Sequence, residues 1–316
     1  MTMKKVICCG NISFDLIATS RKNEENMVFH ARPGGSVFNT AIQLSRLGIS
    51  VSMLTKTGND FLSNTLLNIM RGEKISTKYA VRDEKIKAGL AFARIDKKGN
   101  SSYTFYKSEG KQISFNKEQL SPSIFNNAAV FHTGSVFTYS DFSFENALDL
   151  MRKARKKGVF VTYDPNWRGT RIKNKPKARR RIRKLLQYVD LLKLSANDAR
   201  GITGRKTLSG ALKVLPVNII VTLGEKGSFF WNGKKKIYQP AFKVKVVDTI
   251  GAGDAFTAGL ISRYAEMGRK IIEEKQKETL KFATAVSAIV CQAQGATAGL
   301  KSLRQVHRSV RTRAGR

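Results

Sequence analysis

A glycine-rich turn, Gly251-Ala252-Gly253-Asp254, leads directly into a stretch with helical periodicity that ends near Gly268. Its small residues leave backbone N–H groups unobstructed at a helix N-terminus, where the positive end of the helix dipole also lies. Such a turn binds anions, including the charge that develops on a phosphoryl group during transfer. Because a carboxylate would repel that anion, Asp254 fits better as a base that accepts a proton from an attacking hydroxyl. A tight turn with an ordinary first-turn acid is the alternative, and one short motif does not separate the two.

A second glycine pair, Gly34-Gly35, opens another predicted helix, which ends at Gly48. Apolar residues recur along it at helical spacing: Val37, Ala41, Leu44 and Leu47. Asn39 lies in the first turn and off this apolar stripe. Its amide can both donate and accept hydrogen bonds, which is the chemistry needed to bind neighbouring hydroxyl groups. The two glycines and Asn39 are therefore candidates for binding a polyhydroxyl substrate.

Together, in this order and at this separation, the two motifs resemble the signatures of the PfkB family of carbohydrate kinases, which have the ribokinase-like fold. Gly34 to Asn39 matches the first signature, and Asp248 to Gly259 matches the second. The similarity extends over the chain except its basic C-terminal tail. The resemblance implies an ATP-dependent sugar kinase in which Asp254 is the base. The amides of Gly251, Ala252 and Gly253 would form an anion hole, and Gly251 and Gly253 would also contact the nucleotide.

The resemblance assigns further substrate residues by position. Asp15, five residues after Gly10, matches an acid that binds sugar hydroxyls. The stretch Asp164-Pro165-Asn166-Trp167-Arg168 looks like the fructokinase and 2-keto-3-deoxygluconate kinase branches, and Arg168 would steady substrate or phosphate. Fructokinases are the most similar branch, while ribose, 2-keto-3-deoxygluconate and nucleosides stay open as substrates.

The nucleotide and metal positions also follow from the resemblance. Ser195 and Asp198 match an Asn-x-x-Glu element that helps hold Mg²⁺ and phosphate, although Asp has a shorter reach than Glu. Thr222, Gly224 and Gly227 match a nucleotide-binding segment. The implied cofactors are ATP and Mg²⁺. A monovalent cation is left undecided, because residue 250 is Ile where Thr is common.

Strands and helices alternate through most of the chain, which predicts a three-layer α/β sandwich with a mostly parallel central sheet, in a single domain over 1–316. The candidate residues follow strand ends, and these ends meet at the ligand-binding edge of such a sheet. Residues 88–110 read instead as a β-hairpin. The family resemblance implies that, with about 13–32, they form a small β lid that excludes water, the alternative being an edge hairpin of the main sheet. Phe105 and Tyr106 are its candidate sugar-facing residues.

The composition is strongly basic, with 57 Lys+Arg, 23 Asp+Glu and a formal net charge of +34. Such a charge favours anionic partners, and two basic runs, 173–184 and 301–316, leave open a nucleic-acid-associated protein with reduced catalysis. The intact Asp254 and its glycine turn count against that alternative. A homodimer through the lid is a further expectation.

Three cysteines without a Cys/His cluster argue against a disulfide framework or a zinc site. No apolar run reaches the length of a membrane span, and the N-terminal residues do not form a signal segment. We therefore expect a cytoplasmic enzyme without a membrane partner.

Overall fold

A computed structural model of the protein describes residues 5–21, 27–95, 101–106, 113–170, 172–215 and 218–312. Within these ranges the strands are β1 Lys5–Cys9, β2 Ser13–Arg21, β3 Met27–Gly34, β4 Val51–Thr57, β5 Ser76–Arg82, β6 Gly89–Ile95, β7 Ser101–Tyr106, β8 Ala128–Gly134, β9 Phe160–Asp164, β10 Leu191–Ser195, β11 Ile219–Thr222, β12 Ser228–Trp231 and β13 Lys236–Gln239. The α-helices are α1 Ser36–Arg46, α2 Phe61–Gly72, α3 Phe144–Lys156, α4 Lys175–Leu186, α5 Ala196–Thr203, α6 Leu208–Leu212, α7 Ala252–Met267, α8 Lys270–Glu273, α9 Gln276–Val290 and α10 Leu303–Thr312.

Nine strands form the central sheet, in the order β13-β12-β11-β10-β9-β8-β1-β4-β5. The seven strands from β11 to β5 are parallel, and β12 and β13 add an antiparallel hairpin at one edge. Since parallel strands need crossover connections, the helices between them cover both faces of the sheet. The predicted three-layer architecture with a mostly parallel sheet is confirmed.

The core lies in two layers, and strand β1 contributes to both. Ile7 and Cys9 face one core cluster, whereas Val6 and Cys8 face the other, because successive strand residues point to opposite faces. Residues of α3 to α6 line the first cluster; α1, α2, α7, α9 and α10 line the second. Complete burial of Phe38 contributes roughly 1.5–3 kcal/mol, as is usual for a large apolar side chain.

A second, four-stranded sheet has the order β3-β2-β6-β7. Strand β2 is antiparallel to β3 and parallel to β6, and β6 and β7 form an antiparallel hairpin. The predicted hairpin is therefore part of a separate small sheet and not an edge of the main one. Residues 22–26, 96–100 and 107–110 of the predicted lid region lie outside the described ranges.

The chain leaves the first strand earlier than its apolar run suggests. Strand β1 ends at Cys9, and the small sheet begins at Ser13, so Asp15 lies inside a strand and not in a loop after one. The chain passes close to α1 at Gly10, where a Cβ would lie only 2.8 Å from the Cβ of Val37. The close approach of strand and helix ends β1 at this point.

The three cysteines are free thiols, and burial raises the pKa of Cys8 and Cys9 above the ordinary thiol value. Over the described ranges, no group of three or more His, Cys, Asp or Glu side chains is arranged to hold a metal ion. None of the helices seen there combines the length and apolarity that a bilayer crossing requires.

Candidate active site

The glycine-rich turn sits at the start of α7 in a fixed conformation. Gly251 caps the helix with φ +77°, and a Cβ there would lie 2.5 Å from the carbonyl oxygen of Ala296, so only glycine fits. Asp248 stabilises the turn through two hydrogen bonds. Its Oδ1 accepts one from Ile250 N and its Oδ2 accepts one from Gly295 N, both at 2.8 Å. The amides of the turn are thus held at the helix N-terminus, as predicted.

Asp254 is the third residue of α7, and α1 supplies its hydrogen-bond partners. Ser36 Oγ donates to Asp254 Oδ1 at 2.6 Å, and Asn39 Nδ2 donates to Oδ2 at 2.9 Å. Thr40 Oγ1 also lies 3.3 Å from the Asp254 carbonyl oxygen. The two sequence motifs, more than 200 residues apart in the chain, therefore meet at one carboxylate.

The environment of Asp254 favours a carboxylate that can take up a proton. Burial raises the pKa of Asp254, the hydrogen bonds from Ser36 and Asn39 lower it, and the nearby charge of Asp164 raises it again. The net result is a pKa above the ordinary aspartate value. A base of this kind is a better proton acceptor than an exposed carboxylate.

Asn39 has one polar atom that the described residues leave unsatisfied. Its Nδ2 is used by Asp254, but Oδ1 is buried and has no hydrogen-bond partner in this structure. A buried acceptor without a partner is costly, so a ligand hydroxyl that donates to Oδ1 would be favourable. This supports the sequence-based role of Asn39 in binding hydroxyl groups and adds a second role, the orientation of Asp254.

The other predicted sugar residues lie close to α1. A Cβ at Gly34 would lie 2.3 Å from Asp15 Oδ1, so the carboxylate packs directly on the Gly34 backbone. Gly35 caps α1 with φ +104° and lies against the carbonyl oxygen of Asn11. Asp15, Gly34, Gly35 and Asn39 therefore form one group beside Asp254.

The lid contributes one further position through its strand register. Asp15 is paired with Ala91, and Ala91 with Phe105, so the three residues form a single row across the small sheet. The side chains of Phe105 and Tyr106 lie outside the described part of the structure. Their sugar-facing role stays a prediction.

A buried ion pair that the sequence did not single out lies near Asp254, because the charges of both partners act on that carboxylate. Lys193, in β10, donates from Nζ to Asp164 Oδ2 at 2.8 Å, and the two residues are 7% and 4% exposed. A Cβ at Gly253 would lie 3.1 Å from this Nζ, so the ammonium is packed against the glycine turn. Burial alone would lower the pKa of Lys193, but the charges of Asp164, Asp198 and Asp254 raise it above the ordinary lysine value.

Ser195 and Asp198 form the start of α5. Ser195 Oγ accepts from Asp198 N at 3.0 Å and Asp198 Oδ2 accepts from Ser195 N at 2.8 Å, which is a capping box. Burial, followed by the charge of Asp164, raises the pKa of Asp198. Because the charge of Asp164 raises the pKa of both Asp198 and Asp254, a bound cation would be stabilised beside these acids. The donor set suits Mg²⁺, which takes one or two carboxylates together with substrate phosphates.

The predicted nucleotide residues follow the neighbouring strand. Thr222 ends β11 beside Ser195, and its hydroxyl donates to Leu194 O at 3.3 Å. Gly224 and Gly227 have φ of +62° and +104° in the turn that follows. They share the carboxyl edge of the sheet with α7. Their contact with a nucleotide stays a prediction.

Arg168 follows β9 in the segment that starts at Asp164. Asn166, with φ +42°, turns the chain there, and its N–H donates to Asp164 Oδ1 at 3.1 Å. The charge of Arg168 acts on Tyr139, although burial is the larger effect and raises the pKa of that phenol. The structure thus places Arg168 near Tyr139.

Sequence reasoning missed Lys193 and Ser36 and did not give Asp164 a role. A lysine in the apolar run Leu191-Leu192-Lys193-Leu194 was the available signal, since central parallel strands are normally apolar throughout. Ser36 directly follows the first glycine pair, and no local pattern shows which acid its hydroxyl will meet.

Comparison with known proteins finds relatives among the sugar kinases. Residues 3–303 match the pfkB family of carbohydrate kinases. The chain is 29% identical to fructokinase-1 of Zea mays over 313 residues, covering 95% of this chain and 96% of that protein. A structure of fructokinase with bound ATP from Xylella fastidiosa has a TM-score of 0.89 and 25% identity, covering 99% of each chain.

A fructokinase from Vibrio cholerae O395, solved with fructose, ADP and calcium ion, has a TM-score of 0.85, with 98% of this chain and 100% of that chain covered. Its identity is 20%, so this likeness shows the fold alone. The family match, by contrast, spans nearly the whole sequence and includes both glycine motifs. The chain therefore belongs to the pfkB family of carbohydrate kinases and is a sugar phosphotransferase.

Proposed function

We propose that this protein transfers the γ-phosphoryl group of ATP to a hydroxyl of fructose or a closely similar sugar. The observation that carries the proposal is the position of Asp254, held by Ser36 and Asn39 beside the amides of the glycine turn. The similarity to fructokinases over most of the chain supports fructose among the sugars.

In the proposed reaction the sugar is bound by Asp15, the Gly34-Gly35 backbone and Asn39, with one hydroxyl near Asp254. This hydroxyl oxygen attacks the γ-phosphorus while its proton passes to the Asp254 carboxylate. The bond from the γ-phosphorus to the oxygen of ADP breaks, and the amides of Gly251, Ala252 and Gly253 stabilise the charge on the phosphoryl group. A general base contributes about 10²- to 10⁴-fold, so positioning and charge stabilisation must supply much of the remainder.

ATP and Mg²⁺ fit the residues around this base. When bound, Mg²⁺ would neutralise phosphate charge, and Asp198 is the residue proposed to help hold it, with Ser195, Thr222, Gly224 and Gly227 along the nucleotide. Arg168 is retained as a candidate for steadying substrate or phosphate. The acids around Lys193, whose charges raise the pKa of that lysine, support cation binding there.

The test is ADP release from ATP and Mg²⁺ with fructose, ribose, 2-keto-3-deoxygluconate and a nucleoside, using wild type and Asp254→Asn. We expect turnover that is greatest with fructose and falls about 10²- to 10⁴-fold in the variant. Asn keeps the size of the side chain but cannot accept the proton. Turnover that Asp254→Asn leaves unchanged would contradict the proposed base.

Three further expectations belong with this proposal. The small four-stranded sheet would act as a lid that closes over the sugar site and excludes water. It would belong to the same single domain, 1–316, as the main sheet. We also propose a cytoplasmic location and a homodimer through this sheet, which sedimentation with and without sugar would detect. Met27 and Val28 on β3, each about half exposed, support an apolar contact there.

A second candidate function rests on the basic face around α4. Residues 165–189 and 199–224 contain ten and four basic residues and no acid. The two stretches are joined in space, since Arg179 Nε donates to Gly201 O at 2.8 Å. Asp141 pairs with Lys177 and Arg181, but most of this charge is exposed. Such a face favours binding to the phosphate backbone of a nucleic acid in addition to sugar phosphorylation.

A further inference from the structure

The ion pair between Lys193 and Asp164 lies where the proposed reaction needs positive charge. Both residues are on neighbouring parallel strands, and Leu192 pairs with Tyr163, which places the lysine beside the aspartate. The ammonium is also packed against Gly253, in the turn that starts α7. Lys193 therefore lies between Asp164, which ends β9, and the turn whose amides stabilise the transferring phosphoryl group in the proposed reaction.

Stability alone does not explain this pair. Taking two charges out of water is costly, and a well-packed apolar pair in the same place is often as stable or more stable. The neighbours of Lys193 along β10 are leucines, so an apolar side chain would suit the strand. A buried charge kept at the ligand edge of the sheet is better explained by a role in binding.

The ammonium also has donors to spare. A lysine carries three N–H donors, and among the described residues the one hydrogen bond of Nζ goes to Asp164 Oδ2. The buried setting makes unused donors unfavourable, so acceptor oxygens from a ligand would be stabilising. Phosphate oxygens at the adjacent amides are acceptors of the right charge.

We propose that Lys193 is a catalytic residue that donates hydrogen bonds to the oxygens of the transferring phosphoryl group. This proposal rests on the kinase function proposed above. As the sugar oxygen forms its bond to phosphorus and the bond to the ADP oxygen breaks, the proton goes to Asp254 and Lys193 stays protonated. Its fixed charge thereby adds to the amides of the glycine turn.

Asp164 is the positioning residue for this lysine. Its Oδ2 accepts from Lys193 while Oδ1 accepts from Asn166 N, so both oxygens are engaged. Thr257 Oγ1, one turn into α7, lies 3.4 Å from the same Oδ2. Asp164 keeps the lysine charged and directs it towards the start of α7.

The test compares wild type with the double variant Lys193→Met/Asp164→Asn, which removes both charges and leaves no unpaired buried ion. The matched control is Lys56→Met/Asp83→Asn, because Lys56 is another buried strand lysine, paired with Asp83 at 2.8 Å. Thermal unfolding establishes that each variant is folded. Calorimetry then measures the affinity for ADP and for β,γ-methylene-ATP, and ADP release measures kcat with the best sugar.

We expect kcat of the Lys193 double variant to fall about 10²- to 10³-fold, as when one donor to a developing charge is removed. Its affinity for the triphosphate analogue should fall about tenfold and its affinity for ADP much less, since the proposed contact is to the third phosphate. The control pair should leave kcat and both affinities near wild type. The single variant Lys193→Arg, which keeps the charge, should retain more of the wild-type kcat than the double variant does.

A double variant with unchanged kcat and an unchanged ratio of the two affinities would overturn the role of Lys193. So would equal losses in the control pair, which would indicate a general effect of removing a buried pair. A wild-type protein without turnover on any sugar would count against the proposed kinase function. The ratio of affinities would still decide whether Lys193 contacts the third phosphate.

Discussion

Two lysines on the central sheet have the same local chemistry and different surroundings. Lys56 on β4 and Lys193 on β10 are both buried, and each has its ammonium 2.8 Å from an aspartate oxygen. Asp83, the partner of Lys56, is partly exposed, and Lys56 uses another donor for Ser114 O at 3.2 Å. The pair on β10 is buried on both sides and adjoins two further acids and the α7 turn.

Pairing and burial of a lysine therefore do not by themselves indicate a functional site. Lys56 has the bonding of a structural cation, with protein acceptors on two sides. Among the described residues, Lys193 has one such acceptor, and it lies beside a helix N-terminus whose amides attract anions. The surroundings of the two lysines, and not their ion pairs, distinguish them.

The largest expected effect on stability follows from removing one partner. Lys193→Met leaves Asp164 as an unpaired buried carboxylate, which should lower the free energy of unfolding by about 3–5 kcal/mol. Lys56→Met should cost clearly less, because Asp83 can turn to water. Urea denaturation of both variants measures the difference. Equal losses would mean that the two pairs have equivalent surroundings after all.

Substitution of Gly253 tests the contact between the turn and the lysine. A methyl group at Gly253 would lie 3.1 Å from Lys193 Nζ and should displace the ammonium, reducing kcat about tenfold to a hundredfold. Gly72→Ala is the matched control, since a Cβ at the end of α2 meets nothing within 4 Å. Steady-state kinetics of both variants checks the prediction. If Gly253→Ala kept the wild-type kcat, the contact between the turn and Lys193 would not contribute to catalysis.

Much of the fold and part of the site could be predicted from the sequence. The strand and helix alternation and the two glycine motifs led to the right architecture and to Asp254, Asn39 and Asp15 as neighbours. Local patterns carry this information because glycine turns and helix starts are specified by adjacent residues. Asp15 was nevertheless expected after a strand and lies in one, since the contact of Gly10 with α1 is a tertiary constraint.

The buried pair could not be predicted in the same way. Lys193 and Asp164 are 29 residues apart, and only the register between β9 and β10 brings them together. In sequence, the exposed charge run of α4 is far more prominent than a single lysine among leucines. Net charge and charge density describe the surface, whereas a functional charge is defined by the groups packed around it.

A smaller effect is expected from Ser36→Ala, which tests whether α1 sets the basicity of Asp254. Loss of the hydrogen bond at Oδ1 removes an interaction that lowers the pKa of Asp254, so that pKa should rise further above the ordinary aspartate value. The base works only when deprotonated. The acidic limb of the profile of kcat/KM against pH should therefore move to higher pH. Ser63→Ala, at the Asp60 cap of α2, is the control and should leave the limb in place.

The smallest effect on catalysis is expected from the cations of α4, which are exposed, unlike Lys56 and Lys193. Arg180→Gln/Lys184→Gln should leave kcat and unfolding free energy close to wild type, because exposed charges contribute about 0–1 kcal/mol. If this face binds nucleic acid, the variant should bind duplex DNA more weakly. The slope of log affinity against log salt should then become shallower by about one for each DNA phosphate that the variant no longer neutralises.

The control for this experiment is Lys234→Gln/Lys235→Gln, which removes two exposed charges from the turn between β12 and β13. A loss of DNA affinity confined to the α4 variant would support a specific binding face. Equal losses in both variants would indicate that the net charge of +34 acts as a whole and that α4 is not a site. In either case, an unchanged kcat would show that the exposed cations do not contribute to catalysis as is proposed for Lys193, whose burial beside α7 gives its charge a defined position.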